Sequence, residues 1–204
     1  MEKTLSDAEA SRLPDVNEDE FIGNLFRTAL PIFMGLPVIA DIDRIVVTVD
    51  WADGTLTIAA QPDTPRNITI ALTDADNSVT GLITVTGKDC DGDVVVETMA
   101  PDGLGGGKTL TGTKMFAQIT SVVISNTGGT PTTDDEVVVG VGNKIALPQD
   151  IIAAAAVRHV FLGGVRQASP TVTTGASTSS VDASAGTYNG AKAMVAYVQP
   201  TRRA

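Results

Sequence analysis

Between Pro65 and Pro148 the chain is a succession of short β-branched runs separated by turn residues. It reads PRNITIALTDADNSVTGLITVTGKDCDGDVVVETM, then GTKMFAQITSVVISNTGG, then DDEVVVGVGNKIALP. Threonine, valine and isoleucine fit a pleated, half-buried surface, and the Gly, Asp and Asn clusters between them close the connections. Such a pattern restricts the chain to antiparallel β structure and leaves few residues with which to build an active site. The expected fold is all-β: an antiparallel sandwich or jelly-roll-like domain with an extended N-terminal arm.

The individual strands follow from the same alternation. Arg44–Asp50 reads as a strand, and Asp53-Gly54 as a hairpin turn that returns through Leu56–Ala59. Over Asn67–Thr73, Ile68, Ile70 and Leu72 alternate with Asn67, Thr69 and Ala71. Leu82–Gly87 and Val94–Met99 flank a second Asp-Gly turn at Asp91-Gly92. TLTGTKMF, Ala117–Ser125 and Glu136–Val141 read as further strands. Past Pro148 the alanines of Ile151–Val157 suit a helical turn or two. His159–Leu162 is expected as a short strand ending at Gly163-Gly164, Ala168–Tyr188 as a long loop or weak edge ribbon, and Ala193–Val198 as a closing strand. Residues 1–42 form the arm, an acidic tail plus an apolar Pro-containing segment. Residues 43–204 form the β-rich domain, a division that leaves room for a smaller C-terminal lobe over 149–204.

Charge and composition narrow the functional classes. Among 204 residues there are 24 acidic and 14 basic side chains, a formal charge of −10, which disfavours nucleic acid as a partner. A single cysteine, Cys90, excludes an intrachain disulfide and a cysteine zinc cluster, and the single His159 excludes a site needing two imidazoles. The acidic start MEKTLSDAEASRLPDVNEDE is unlike the basic head of an export signal. Thr28–Ala40 is apolar but interrupted by Pro31 and Pro37, too short and broken for a membrane span. Neither a membrane nor a secretory route is expected.

The stretches that resemble chemistry do not hold up residue by residue. Gly103–Thr109 invites a phosphate-loop reading, but the position of the template's first glycine is Asp102 and the following TLTGTKMF is strand, not helix. Asp89-Cys90-Asp91-Gly92-Asp93 alternates acids as a calcium loop does, yet the template's glycine and glutamate positions hold Val94 and Ala100. That segment and Asp74–Ser78 read as polar turns. His159 and Cys90 have no partner that would make either a nucleophile or a ligand, and Trp51 reads as a cap on the sandwich edge. No catalytic, cofactor-binding or metal-binding residue is assigned, no cofactor is expected, and the chain is not read as an enzyme.

Candidate interface residues lie in the arm, where Phe21, Phe26 and Phe33 hold three of the five phenylalanines. Phe21, Leu25 and Phe26 suit one face of a short helical stretch, and Ile32, Phe33 and Met34 follow in an extended, irregular path between the prolines. Aromatics are enriched at interface cores. Two readings stay open: the arm folds back on the end of its own sandwich, or it lies in a groove on a neighbouring subunit.

The ordered pieces PRNITI, TDADNSVTG, LITVTGKDCDGDVVVET, GTKMFAQITSV and VGVGNKIALP, preceded by NLFRTALPIFMGLPVIADIDRIVVTVD, resemble virion structural proteins of tailed double-stranded-DNA bacteriophages. The resemblance covers about residues 21–148 and weakens through the Ser/Thr/Ala-rich C-terminal part. It implies a capsid decoration (cement) protein made in the host cytoplasm and located on the virion surface. The implied partners are the major capsid protein and further copies of the chain, most simply as a homotrimer. A tail or head–tail connector or fibre component, and a host-surface adhesin-like module, are the alternatives.

Overall fold

The computed structural model of the protein describes residues 29–74, 79–100, 108–128, 131, 132, 134–183 and 187–199. Its described residues are almost entirely antiparallel β, and three sheets account for them. The six-stranded sheet runs β12 (Thr171–Thr173), β13 (Ser180–Asp182), β9 (Glu136–Ala146), β4 (Arg66–Thr73), β7 (Lys108–Phe116), with β2 (Asp41–Asp50) also paired to β9. A four-stranded sheet is ordered β3 (Gly54–Thr55), β8 (Gln118–Gly128), β5 (Thr80–Lys88), β6 (Val94–Met99). A second four-stranded sheet, the end sheet, is ordered β1 (Leu30–Phe33), β14 (Met194–Val198), β10 (Val157–Leu162), β11 (Val165–Arg166).

Alternation along the strands decides which side chains go inside. Ile68, Ile70 and Leu72 of β4 are buried as expected, and they meet Ile83 and Val85 of β5, Val122 and Ile124 of β8, and Val137, Val139 and Val141 of β9. This is sheet-on-sheet packing, and the all-β sandwich read from the sequence is present. Trp51 is 2% exposed in that core rather than at its edge, and its Nε1–H donates to the Thr80 carbonyl at 3.3 Å. A second core lies between the end sheet and the far end of β9: Met34, Ile145, Leu147, Val160, Leu162 and Met194 belong to it. One strand therefore serves both cores, Val137–Val141 in the first and Ile145 in the second.

Several local expectations are corrected. Asp53-Gly54 does not close a hairpin, because β2 pairs with β9 whereas β3 pairs with β8. Burial of Trp51, whose N–H donates to Asp135 O at 2.8 Å, turns the chain from one sheet to the other there. The returning strand is only Gly54–Thr55; Leu56 donates to Val122 O and Ala59 to Ile45 O, so the segment expected as a strand bridges the two layers. The alanine run makes one 3-10 turn, Ala154–Ala156, without a side-chain cap. Ile151 is drawn into the second core with its N–H on Ser179 Oγ at 3.0 Å, and β10 begins at Val157. Leu30–Phe33 is a strand, not an irregular path: Pro31 is tolerated because β1 is an edge strand. Thr171–Thr173 and Ser180–Asp182 form the short edge ribbon anticipated for the Ser/Thr-rich stretch.

The turns at Asp91-Gly92 and Gly163-Gly164 match their expectations. β5 and β6 pair in register from Ile83–Met99 to Lys88–Val94. Gly163 and Gly164 have φ of 59° and 79°, the geometry that a two-residue hairpin loop demands and that glycine adopts without strain.

Candidate interaction surface

Cys90 sits half-buried in the β5–β6 turn, and burial together with Asp89 and Asp91 pushes its thiol up to about 11. At neutral pH it is a protonated thiol, the opposite of an activated nucleophile. Asp89 Oδ1 accepts the N–H groups of Asp91 and Asp93, both at 3.0 Å, so this carboxylate is committed to shaping the turn. Among the described residues no group of three or more His, Cys, Asp or Glu is placed to hold a metal ion. Likewise, no helix among them is long and apolar enough to cross a membrane. The glycine-rich tip at 101–107 and residues 75–78 lie outside the described residues.

A buried polar hub joins the two cores. Opposite Asn67 on β4, three residues of β9 (142–144) stand where one would suffice, and opposite Ile68 stand three of β7 (112–114). These double bulges free backbone groups that must find other partners. The Asn67 side chain, fully buried, takes one from each: Nδ2–H donates to Gly112 O at 3.2 Å and Oδ1 accepts from Lys144 N–H at 3.0 Å. Gly142 makes this approach possible, since a Cβ there would stand 2.5 Å from both amide atoms of Asn67. On the β7 side, Glu97 reaches across from β6 and accepts from Thr113 N–H at 2.7 Å and Thr113 Oγ1 at 3.0 Å.

Arg66, 0% exposed, completes the hub. Its Nε–H donates to Gly142 O at 2.7 Å, and its Nη1 to Asp63 Oδ1 at 2.8 Å and to Val38 O at 3.1 Å. Asp63 Oδ2 accepts Val38 N–H at 2.8 Å, so the ion pair holds both backbone groups of one arm residue. Tyr188 closes the other side, accepting Ala183 N–H at 2.7 Å and donating to Asn143 O at 3.2 Å. Burial drives its phenol up to about 12.

The arm residues named from sequence separate into three groups. Phe21, Leu25 and Phe26 lie outside the described residues. Ile32, partly buried, packs against the second core, and Met34, 5% exposed, is part of it. Phe33 is 66% exposed on the opposite face. The alternation is that of a strand: Ile32 pairs with the inward Ala196, Phe33 with Val195.

Among the described residues, exposed apolar surface is concentrated on this part of the chain. Of the ten large hydrophobic side chains exposed among the described residues, six fall between residues 30 and 47: Leu30, Phe33, Leu36, Ile39, Ile42 and Val47. Sequence reasoning did not find a second feature, the outer face of the end sheet. Registers place Phe33, Val195, Phe161 and Arg166 in one row across it, and Pro31, Tyr197 and His159 in the next. Phe161 meets Tyr197 edge-on at 5.6 Å and His159 at 6.5 Å between ring centroids. Trp51, Phe116 and Tyr188 are buried, so every described Phe, Tyr or Trp outside the cores is on this face.

Fold and surface thus define a class: an all-β sandwich with two cores, an arm built into its end sheet, and aromatic and aliphatic surface left uncovered. No protein-family model matches the chain, no curated protein matches its sequence, and no solved structure matches its fold.

Proposed function

We propose that this chain is a virion structural protein of a tailed double-stranded-DNA bacteriophage, and that it decorates the outer capsid lattice as a symmetric homo-oligomer, a trimer at local three-fold positions. The observation that supports this most is the run of exposed Leu36, Ile39, Ile42 and Val47 on a segment whose Val38 is clamped by Asp63 and Arg66. Apolar side chains held out on a fixed backbone suit docking, since little ordering cost remains when they are covered. Many weak contacts on a repeating lattice then add through multivalency. The resemblance over residues 21–148 supplies the virion setting and the major capsid protein as partner. The protonated thiol of Cys90 and a lone exposed His159 favour a binding role over catalysis.

Counting this chain per major capsid protein in purified particles tests the reading. A ratio of the order of the lattice repeat supports decoration, and a ring's worth of copies per particle replaces it with a connector or fibre role. Leu36→Asp with Ile39→Asp, both on exposed positions, should abolish co-sedimentation with empty capsids; burying each such side chain is worth ~1–2 kcal/mol per contact. Unchanged binding would remove this segment from the docking surface.

A further inference from the structure

We propose that the cleft of about 350 Å³ beside β10 is a binding site for a small organic anion, a carboxylate or sulfonate carried on a short apolar body. It lies where the chain leaves the end sheet for the six-stranded one, and its lining runs from β10 and β11 to Val172 of β12. Its volume is at the lower end of the ~300–1,000 Å³ usual for small-molecule sites. Valines supply the apolar lining: Val160 is fully buried in the second core, and Val157 and Val172 pack against that core. Arg158 and Arg166 supply the charge, and among the described residues no Asp or Glu lines the cleft.

This lining selects a ligand class. In a chain of charge −10, two arginines without a lining carboxylate make a local exception that favours an anion. Gln199 Oε1 accepts from Arg158 Nε–H at 3.0 Å and also from its Nη2, which holds the guanidinium in place. That oxygen is neutral, so the positive charge is kept, and only two of the five N–H donors of the guanidinium are used. The connection after β11 is fixed as well: Gln167 N–H donates to Val160 O at 2.8 Å and its Nε2 to Val165 O at 2.9 Å. A site built before its ligand arrives loses less freedom on binding. The valines favour an anion with an apolar tail over a bare inorganic ion, because only the tail gains free energy by covering them. This assignment stands apart from the virion reading, because its readout needs no capsid.

Titrating the nitrogen-15-labelled full-length protein with sodium hexanoate, and following its backbone amide signals by NMR, tests the assignment. The amides within residues 157–160 and 166–172 should shift saturably, with a Kd of about 1 mM for so small a probe. Acetate keeps the charge without the tail, and 1-hexanol keeps the tail without the charge; each should bind at least ~10-fold more weakly. Arg158→Gln with Arg166→Gln, both at exposed positions, should weaken hexanoate ~10-fold. Arg166→Gln alone, on the two-residue edge strand β11, should weaken it about threefold and decides the matter if the double variant fails to fold. No saturable shift at these amides, hexanol binding as tightly as hexanoate, or an affinity unchanged by Arg166→Gln overturns the proposal. Acetate binding as tightly as hexanoate also overturns it, in favour of an adventitious ion held by surface charge only.

Discussion

Replacing Asn67 by alanine is expected to destabilise the protein by ~3–5 kcal/mol. The side chain is fully buried and its amide spans two bulges, bonding Gly112 O at 3.2 Å and Lys144 N–H at 3.0 Å. Truncation leaves one buried acceptor and one donor without a partner, each costing ~1–3 kcal/mol, and opens a small cavity. That is a large part of the ~5–15 kcal/mol that holds a typical domain. Asn67→Asp distinguishes hydrogen bonding from packing, because it preserves shape. Its carboxylate can still accept from Lys144 N–H but opposes Gly112 O, so at neutral pH it should cost at least as much as alanine. Protonation restores a donor. The introduced carboxyl therefore has a raised native pKa, and its variant should be least destabilised below about 3.9, losing stability as pH climbs through the native value. Guanidinium unfolding at several pH values reads all of this. An Asn67→Ala cost below ~1 kcal/mol, or an Asn67→Asp variant as stable as wild type at pH 7, would refute the hub as the element that fixes the two bulges.

Three further outcomes follow from the same geometry. Tyr188→Phe should cost ~1–3 kcal/mol at neutral pH by orphaning the Ala183 N–H. In wild type the folded phenol titrates near 12 against about 10 unfolded, so stability should fall by ~2–3 kcal/mol as pH rises through that window, and calorimetry on the phenylalanine variant should show that fall removed. Glu97→Ala should cost ~1–2 kcal/mol and Glu97→Gln less, since the amide oxygen can still accept Thr113 N–H; equal losses in urea melts would contradict that role. Cys90 should react with alkylating reagents ~100-fold more slowly at pH 7 than a thiol of ordinary pKa 9.0, and its rate should keep rising to about pH 11; a fast reaction at pH 7 would show that burial does not control it.

What the sequence disclosed and what it concealed divide along the range of the interactions. The alternation in β4 and the hairpin at Asp91-Gly92 are local, and both are where the residues indicated. Asp53-Gly54 has the same local signature but a different outcome, because Trp51 and Asp135, far apart in the chain, decide which sheet the chain joins next. Period-two alternation would have separated Phe33 from Ile32 and Met34, had Pro31 not suggested an irregular path. The outer face was invisible because β14 inserts between β1 and β10, joining residues 33, 161 and 197. A weak signal for the hub did exist. Arg66 and Asn67 head a strictly alternating strand, and the glycines of LTGT and VGVG lie on its two neighbours.

The hub gives the arm its mechanical meaning. Val38 is held through both its N–H and its C=O by the Asp63–Arg66 pair, and Arg66 in turn holds Gly142 at the bulge where β9 passes from the first core to the second. Leu36 and Ile39 flank Val38, so these exposed side chains stand beside a backbone position that Arg66 ties to β9. A fully buried guanidinium paired with a part-buried carboxylate is an expensive anchor, and an apolar pair of the same volume would often be as stable. What the ion pair provides that an apolar pair lacks is direction: it fixes one backbone position of the arm by two hydrogen bonds with set geometry. A segment fixed in that way has already lost the freedom that docking would remove, so covering its exposed side chains converts more of their burial into affinity.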